Sequence, residues 1–376
     1  MLRPLAPLFF RILTVVIVTQ VVSTPAFCQD VADLSLPILD PKPVVLLRDW
    51  KPSGQPQSST REKAVSEARV ADRLKSEKQY GKAEMAYFEA MLIDPTWSYP
   101  AYQLACNYEL SDQHQKAVTY FNKAIELGFA DFPMALEDNE LGKLRDASDF
   151  KNKLAEIRER YIKDAKERIG TPAAVIPEGD PPEGGWPLVL MLHGYGDSNE
   201  SYLDFAKAWA GLGFVAVAVP GSVPFQQSGY VWAPESTDPT LKDLRAIVAA
   251  ELISNVINKE KVFLLGFSQG ALHAILLTAK YRDEFAGVVA LSPGGSLIQQ
   301  IVTPKISEGR PGRLVFIHGS EESHAPIAKK WSEACSQRGW EFTSGVHQGG
   351  HHFPRRWAAK RPAIAKFLTR ETDRKE

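Results

Sequence analysis

The pentapeptide Gly266-Phe-Ser268-Gln-Gly270 constrains the fold of this chain more than any other feature. Ahead of it runs Val-Phe-Leu-Leu, an apolar segment of strand type, and behind it Ala-Leu-His-Ala-Ile-Leu-Leu, an apolar helical segment. A serine in a sharp strand-to-helix turn is strained, and glycines two residues to either side keep neighbouring backbone from clashing. The surrounding sequence repeats this alternation. Trp186 to Leu192, Phe214 to Val219, Lys261 to Phe267, Ala286 to Leu291 and Arg313 to Ile317 are short apolar runs rich in β-branched residues, as parallel strands buried on both faces require. Leu241 to Asn258 and Gln269 to Tyr281 read as helices between them. The pattern predicts a doubly wound, mostly parallel α/β sheet.

The preceding hundred residues follow a different rule. Ala83 recurs as Ala117, Ala90 as Ala124, Leu74 as Tyr108, Tyr87 as Phe121 and Ile93 as Leu127, each pair 34 residues apart. Small residues at fixed places let paired helices approach closely, with aromatics filling the space beside them. This period resembles that of tetratricopeptide repeats, with Phe150, Leu154, Ile157 and Tyr161 forming the stripe of a closing helix. The resemblance implies a smaller N-terminal all-α domain that binds a peptide or protein partner; a module that only shields or positions the second domain fits the same sequence.

The N-terminal segment carries neither pattern. Arg3 and Arg11 flank an apolar stretch, Ile12 to Val22 is uncharged, and Ser23-Thr-Pro-Ala-Phe-Cys28 is small and turn-prone. That order predicts a cleaved signal peptide over 1–28, hence a secreted or periplasmic protein with no membrane span after cleavage. Residues 29–60, with several prolines and then Lys-Pro-Ser-Gly-Gln-Pro-Gln-Ser-Ser, read as a flexible linker. The helical repeats are expected over 61–169 and the α/β domain over 170–376, the break falling at Gly170-Thr-Pro. Cys106 and Cys335 then fall in separate domains, which argues for buried thiols rather than a disulfide framework. The net charge of -1 gives no basic footprint for nucleic acid.

A serine hydroxyl becomes a nucleophile when a base takes its proton, and the base needs an acid to orient it. After the run Leu-Val-Phe-Ile stands His318-Gly-Ser-Glu321-Glu322, and near the C-terminus Gly349-Gly-His351-His352-Phe-Pro354. Ser268, Glu322 and His351 thus occur in the order nucleophile, acid, base. Glu321 and His352 compete as immediate neighbours. The amide of Gln269, and that of Tyr195 in His193-Gly-Tyr195-Gly-Asp197, are the expected oxyanion donors. His193 and His273 read as structural. A metal site from His347, His351 and His352 lacks a local carboxylate or thiolate to complete it.

Residues 186 to 356 resemble the phospholipase/carboxylesterase branch of the α/β-hydrolases, which includes acyl-protein thioesterases. The likeness rests on Pro187-Leu-Val-Leu-Met-Leu-His-Gly-Tyr-Gly-Asp197, Gly-Phe-Ser-Gln-Gly-Ala271, His318-Gly and Gly-Gly-His-His-Phe-Pro354. It implies a serine esterase acting on a small-molecule or lipid-like acyl ester, with no cofactor and no metal, and with Trp232 beside the acyl group. Glu322 stands where that family has aspartate, so its longer side chain changes the reach. Leu291 to Arg313 is too short for a cap domain. The same fold also serves peptidases and polyester depolymerases, and an inactive hydrolase carrying a binding module is the alternative outside enzymology.

Overall fold

The computed structural model describes residues 36, 39–40, 42–52, 58–225, 229–354 and 356–370. The expected signal peptide, 1–28, lies outside them.

Ten strands are present among the described residues: β1 (Val45–Leu46), β2 (Ala173–Val175), β3 (Trp186–Leu192), β4 (Val215–Val219), β5 (Val223–Phe225), β6 (Gly229–Val231), β7 (Ile257–Phe267), β8 (Gly287–Leu291), β9 (Arg313–Gly319) and β10 (Glu341–His347). Eight form one sheet in the order β1-β2-β4-β3-β7-β8-β9-β10, and β5 and β6 make a separate hairpin. The six strands from β4 to β10 run parallel, while β2 lies antiparallel against β4 and carries β1 alongside it. Strands β3, β4 and β8 are almost wholly buried because helices cover both faces, which accounts for their unbroken apolar sequences. Leu188, Leu190, Val217, Leu264 and Trp331 belong to the core on one face; Val189, Met191, Trp209, Phe263 and Leu368 belong to that on the other.

Helices α1 (Ser59–Ser76), α2 (Tyr80–Ile93), α3 (Ser98–Leu110) and α4 (His114–Glu126) form two hairpins. The positions paired at 34 residues are buried alike: Ala83 with Ala117, Ala90 with Ala124, Tyr87 with Phe121. A short α5 (Phe132–Glu137) follows, and then α6 (Phe150–Glu167), whose Phe150, Leu154, Ile157 and Tyr161 are all buried. The remaining helices are α7 (Leu203–Ala210), α8 (Asp238–Ala249), α9 (Glu251–Ser254), α10 (Gln269–Lys280), α11 (Gln299–Val302), α12 (Ala325–Gln337) and α13 (Trp357–Thr369). Among the described residues no helix is long and apolar enough to cross a membrane.

Two expectations need correction. The stretch 29–60 is not a linker throughout: Val45 and Leu46 pair with Ala173 and Ala174, and the Trp50 indole N–H donates to the Thr171 carbonyl at 2.8 Å. The helical module is therefore inserted between two neighbouring strands of the sheet. Helix Leu241 to Asn258 is likewise interrupted at Ala250, whose extended backbone (φ -60°, ψ 134°) ends α8, and Ile257 already starts β7. The β-branched Val256 and Ile257 favour that early return to the sheet, where the Val256 carbonyl accepts from Trp186 N–H.

Candidate active site

Strand β7 ends at Phe267 and α10 begins at Gln269, so a single residue makes the turn. Ser268 sits at φ 52°, ψ -120°, a strained conformation for a side-chain-bearing residue. The flanking glycines are dictated by space. A Cβ on Gly266 would come within 2.4 Å of the Gly270 backbone, and one on Gly270 within 2.3 Å of the Leu192 carbonyl. Close packing of α10 on β3 and β7 thus holds the strained serine at the carboxyl edge of the sheet.

The sheet's carboxyl edge brings three separated residues together. His351 Nε2 lies 2.8 Å from Ser268 Oγ, and His351 Nδ1 lies 2.6 Å from Glu322 Oε1. An ionised carboxylate only accepts, so Nδ1 carries the ring proton and Nε2 is left bare to accept from the serine hydroxyl. Glu322, with 7% of its side chain exposed, also accepts at Oε2 from Ser292 Oγ (2.7 Å) and from the Gly319 amide. Burial alone would raise its carboxyl; the Ser292, Gly319 and His351 hydrogen bonds and the neighbouring His324 outweigh this and hold it below the usual range. The competing neighbours face elsewhere. Glu321 is exposed, and His352 packs on His347 at 4.7 Å between ring centroids. The three histidines considered as metal ligands are split accordingly, His351 toward Ser268 and the other two against each other.

Tyr195 follows Gly194, where a Cβ would stand 3.5 Å from the Ser268 Cβ, so this loop borders Ser268. Among the described residues the Tyr195 amide donates to no acceptor, and the Gln269 amide opens α10, where no intrahelical acceptor exists. The Tyr195 ring is 49% exposed and packs edge-on against Phe225 at 4.9 Å. Its phenol is pushed up by desolvation and then by Glu137, Asp131 and Asp138, which places the α5 corner of the helical module beside this loop. His193 is fully buried: Nδ1–H donates to the Gly194 carbonyl (2.7 Å), Nε2 accepts from Gly221 N–H (2.9 Å), and burial lowers its pKa to about 4. It braces the loop as a neutral ring. His273, also buried, lies 2.9 Å from Thr240 Oγ1, and burial lowers its pKa to about 3.

Trp232 departs from expectation. It is fully buried, its indole N–H donates to the His193 carbonyl at 2.9 Å, and no face of it reaches a cleft. The aromatic anchors the His193–Asp197 loop and leaves no exposed surface to line an acyl pocket. Among the described residues the one group with metal-ligating spacing is Cys106, Asp138 and Glu140 in the helical module. Lys75 already bonds Glu140, and Tyr102 and Cys106 bond Asp138, so these groups satisfy one another.

Known proteins share parts of this chain. Residues 187–343 match the family model described as serine aminopeptidase, S33, which covers under half of the chain. NocK of Nocardia uniformis subsp. tsuyamanensis, described as an esterase, is 30% identical over 132 residues; the match spans 33% of this chain and 35% of that protein. Acyl-protein thioesterase 1 of Cryptococcus neoformans is 28% identical over 164 residues, spanning 38% of this chain and 68% of the relative. A carboxylesterase structure from Mesorhizobium loti covers 47% of this chain and 87% of its own at 22% identity and a TM-score of 0.37. The chain carries an α/β-hydrolase fold.

Two hydrolase residues escape the sequence patterns. Ser292, at φ 45°, is held by its amide's bond to the Ile317 carbonyl (2.7 Å), which aims its hydroxyl at Glu322. The Gln269 side chain fastens the Trp232 backbone. Local sequence signals neither, since both partners arrive from distant strands.

Proposed function

We propose that this hydrolase cleaves carboxylic ester or thioester bonds through an acyl-enzyme on Ser268. The observation that carries the reading is the unbroken relay from Ser268 Oγ through His351 to Glu322, at 2.8 and 2.6 Å. His351 Nε2 takes the serine proton as Oγ attacks the carbonyl carbon, and Glu322 stabilises the imidazolium that forms. The oxygen that gains charge is met by the amides of Gln269 and Tyr195. His351 then returns its proton to the leaving alcohol or thiol, and a water activated by the same nitrogen releases the acid. The chemistry needs no cofactor. The leader-like segment around Ile12 to Val22 supports a place outside the cytoplasm.

The helical module carries a cavity of about 620 Å³ whose lining includes Trp97, Tyr99 and Phe129 together with charged residues of both signs, among them Arg69, Asp72 and Glu167. Its aromatic lining and mixed charge suit a peptide segment of a protein partner, as the resemblance to tetratricopeptide repeats implies.

A second reading, peptide-bond cleavage, is favoured by the match to the serine aminopeptidase model. One experiment separates the two. The protein from residue 29 onward is assayed on p-nitrophenyl esters, acyl thioesters and aminoacyl p-nitroanilides, beside its Ser268→Ala variant. Turnover of esters or thioesters that vanishes in Ser268→Ala supports the first reading; turnover confined to the anilides replaces it with the second. Activity that survives in Ser268→Ala overturns both.

A further inference from the structure

Two histidines converge on the carboxylate of Glu322. Oε1 accepts from His351 Nδ1 at 2.6 Å and lies 3.6 Å from His324 Nδ1. His351 is the outer partner, 45% exposed, whereas His324 is enclosed at 13%.

The orientation of His324 is fixed. Its Nε2 is 2.7 Å from the Pro293 carbonyl oxygen. A carbonyl can only accept, so Nε2 bears a hydrogen in every protonation state. Nδ1 is then the atom that titrates. It is buried and has no hydrogen-bond partner among the described residues. In the neutral ring, Nδ1 presents a lone pair toward an anion and is itself an orphaned buried acceptor, both of which are unfavourable. In the imidazolium the same atom is a donor facing a carboxylate oxygen. The titratable groups facing His324 are Glu322 on its own loop, His318 on β9 with ring centroids 6.1 Å apart, and, across Glu322, His351 from the loop after β10. His318 Nδ1 is spent on the Gly319 carbonyl at 2.8 Å. Phe316, its ring centroid 6.4 Å from that of His324, is apolar.

We propose that His324 is a positioning residue that takes up a proton to form a second ion pair with Glu322, so that His324 and His351 titrate as a coupled pair on one carboxylate. The inference rests on the relay proposed above. It gives the glutamate a use: a side chain one methylene longer than aspartate reaches both rings at once. Protonated His324 draws on the oxygen that holds His351 and repels a second cation there. The relay stays competent to lower pH than it would with Glu322 serving His351 alone.

The test is the pH profile of kcat/KM on a p-nitrophenyl ester for the wild type, His324→Gln and His324→Phe. Glutamine keeps a donor for the Pro293 carbonyl but cannot charge; phenylalanine keeps the shape and loses the bond. Both variants are expected to move the midpoint of the acid limb up by about half a pH unit or more, and to make it a one-proton transition. NMR titration of the histidine rings in the full wild-type chain supplies a reading free of folding defects in the variants. Mutually dependent titrations of His324 and His351 support the coupling. Acid limbs superimposable on the wild type in both variants, or independent one-step titrations, overturn it. Activity retained in Ser268→Ala instead marks failure of the underlying relay, so the two failures are distinguishable.

Discussion

The side-chain amide of Gln269 clamps the backbone of Trp232 in both directions: its oxygen accepts from the Trp232 N–H and its nitrogen donates to the Trp232 carbonyl, each at 3.0 Å. Trp232 in turn donates its indole N–H to the His193 carbonyl. One residue thereby offers its own amide beside Ser268 and ties the segment around Trp232, and through it the Tyr195 loop, to the start of α10. Gln269→Ala keeps the backbone amide but orphans two buried backbone groups. A loss of about 2–4 kcal/mol in stability is expected from urea melts, with a fall in kcat exceeding any rise in KM, because the oxyanion loop loses its anchor.

The acid should be readable from a pair of neighbours. Glu322→Gln keeps the shape but cannot stabilise the His351 cation, so kcat should drop by about 10³ to 10⁴-fold. Glu321, exposed and without the hydrogen bond that Glu322 makes to His351, should tolerate the same change within about threefold, as exposed substitutions generally do. The Glu322 carboxyl is held below its usual range, so it is ionised above the ordinary glutamate pKa of ~4.3. Its favourable contribution is complete above the ordinary glutamate pKa of ~4.3 and fades only as pH falls through the lowered folded value. Steady-state kinetics between pH 5 and 9 check this: an acid limb set by Glu322 itself within that range would contradict it.

Ser292 offers a milder handle on the same oxygen atoms. Ser292→Ala removes one hydrogen bond to Oε2 and leaves the Gly319 amide in place. A hydrogen bond to a charged group contributes about 1.5–3 kcal/mol, so a loss of about ten- to a hundred-fold in kcat is expected, with KM little changed. An unchanged kcat would mean that the backbone amide alone orients the carboxylate.

What the sequence made legible follows from how local each signal is. Strands buried on both faces announce themselves, since every position of β4 and β8 must be apolar. The Ser268 turn is legible for a related reason: Gly266 answers to the backbone of Gly270 and Ala271 just beyond the serine, although Gly270 itself answers to the distant Leu192. β10 is less visible: an edge strand paired only with β9, it carries Glu341, Thr343, Ser344 and His347 without a continuous apolar run. β1 is two residues between prolines, and only its pairing with β2, across the whole helical module, makes it a strand. Trp232 shows the same limit in the site. The family resemblance sets it beside the acyl group, yet the partners that bury it, Gln269 and the His193 carbonyl, lie about forty residues away on either side.

The insertion point of the helical module makes truncation a measurable question. A chain starting at residue 170 loses β1 and the Trp50 bond to Thr171; one in which a short loop replaces 53–169 keeps both. The second form is expected to melt several degrees higher than the first, as about 1–2 kcal/mol of retained edge pairing implies. Calorimetry on both checks it, and equal melting temperatures would show that β1 adds nothing to the sheet.

Asp243 gives the last prediction. Its side chain is buried, Oδ2 has no hydrogen-bond partner among the described residues, and burial, followed by repulsion from Asp40, raises its pKa to about 7 against a partial offset from Lys242. The unfolded chain releases this proton near the ordinary aspartate value of ~3.9. Between those two values the folded state binds more protons than the unfolded one, so stability falls as pH rises and levels off above about 7. The gap between the folded and unfolded pKa values corresponds to about 4 kcal/mol at most. Asp243→Asn cannot ionise and removes this dependence. Urea melts should therefore show the variant gaining on the wild type between pH 5 and 8, most of the gain appearing before the upper end. A constant difference across that range would mean that the carboxyl ionises without cost, through a partner reached by Oδ1 or a water.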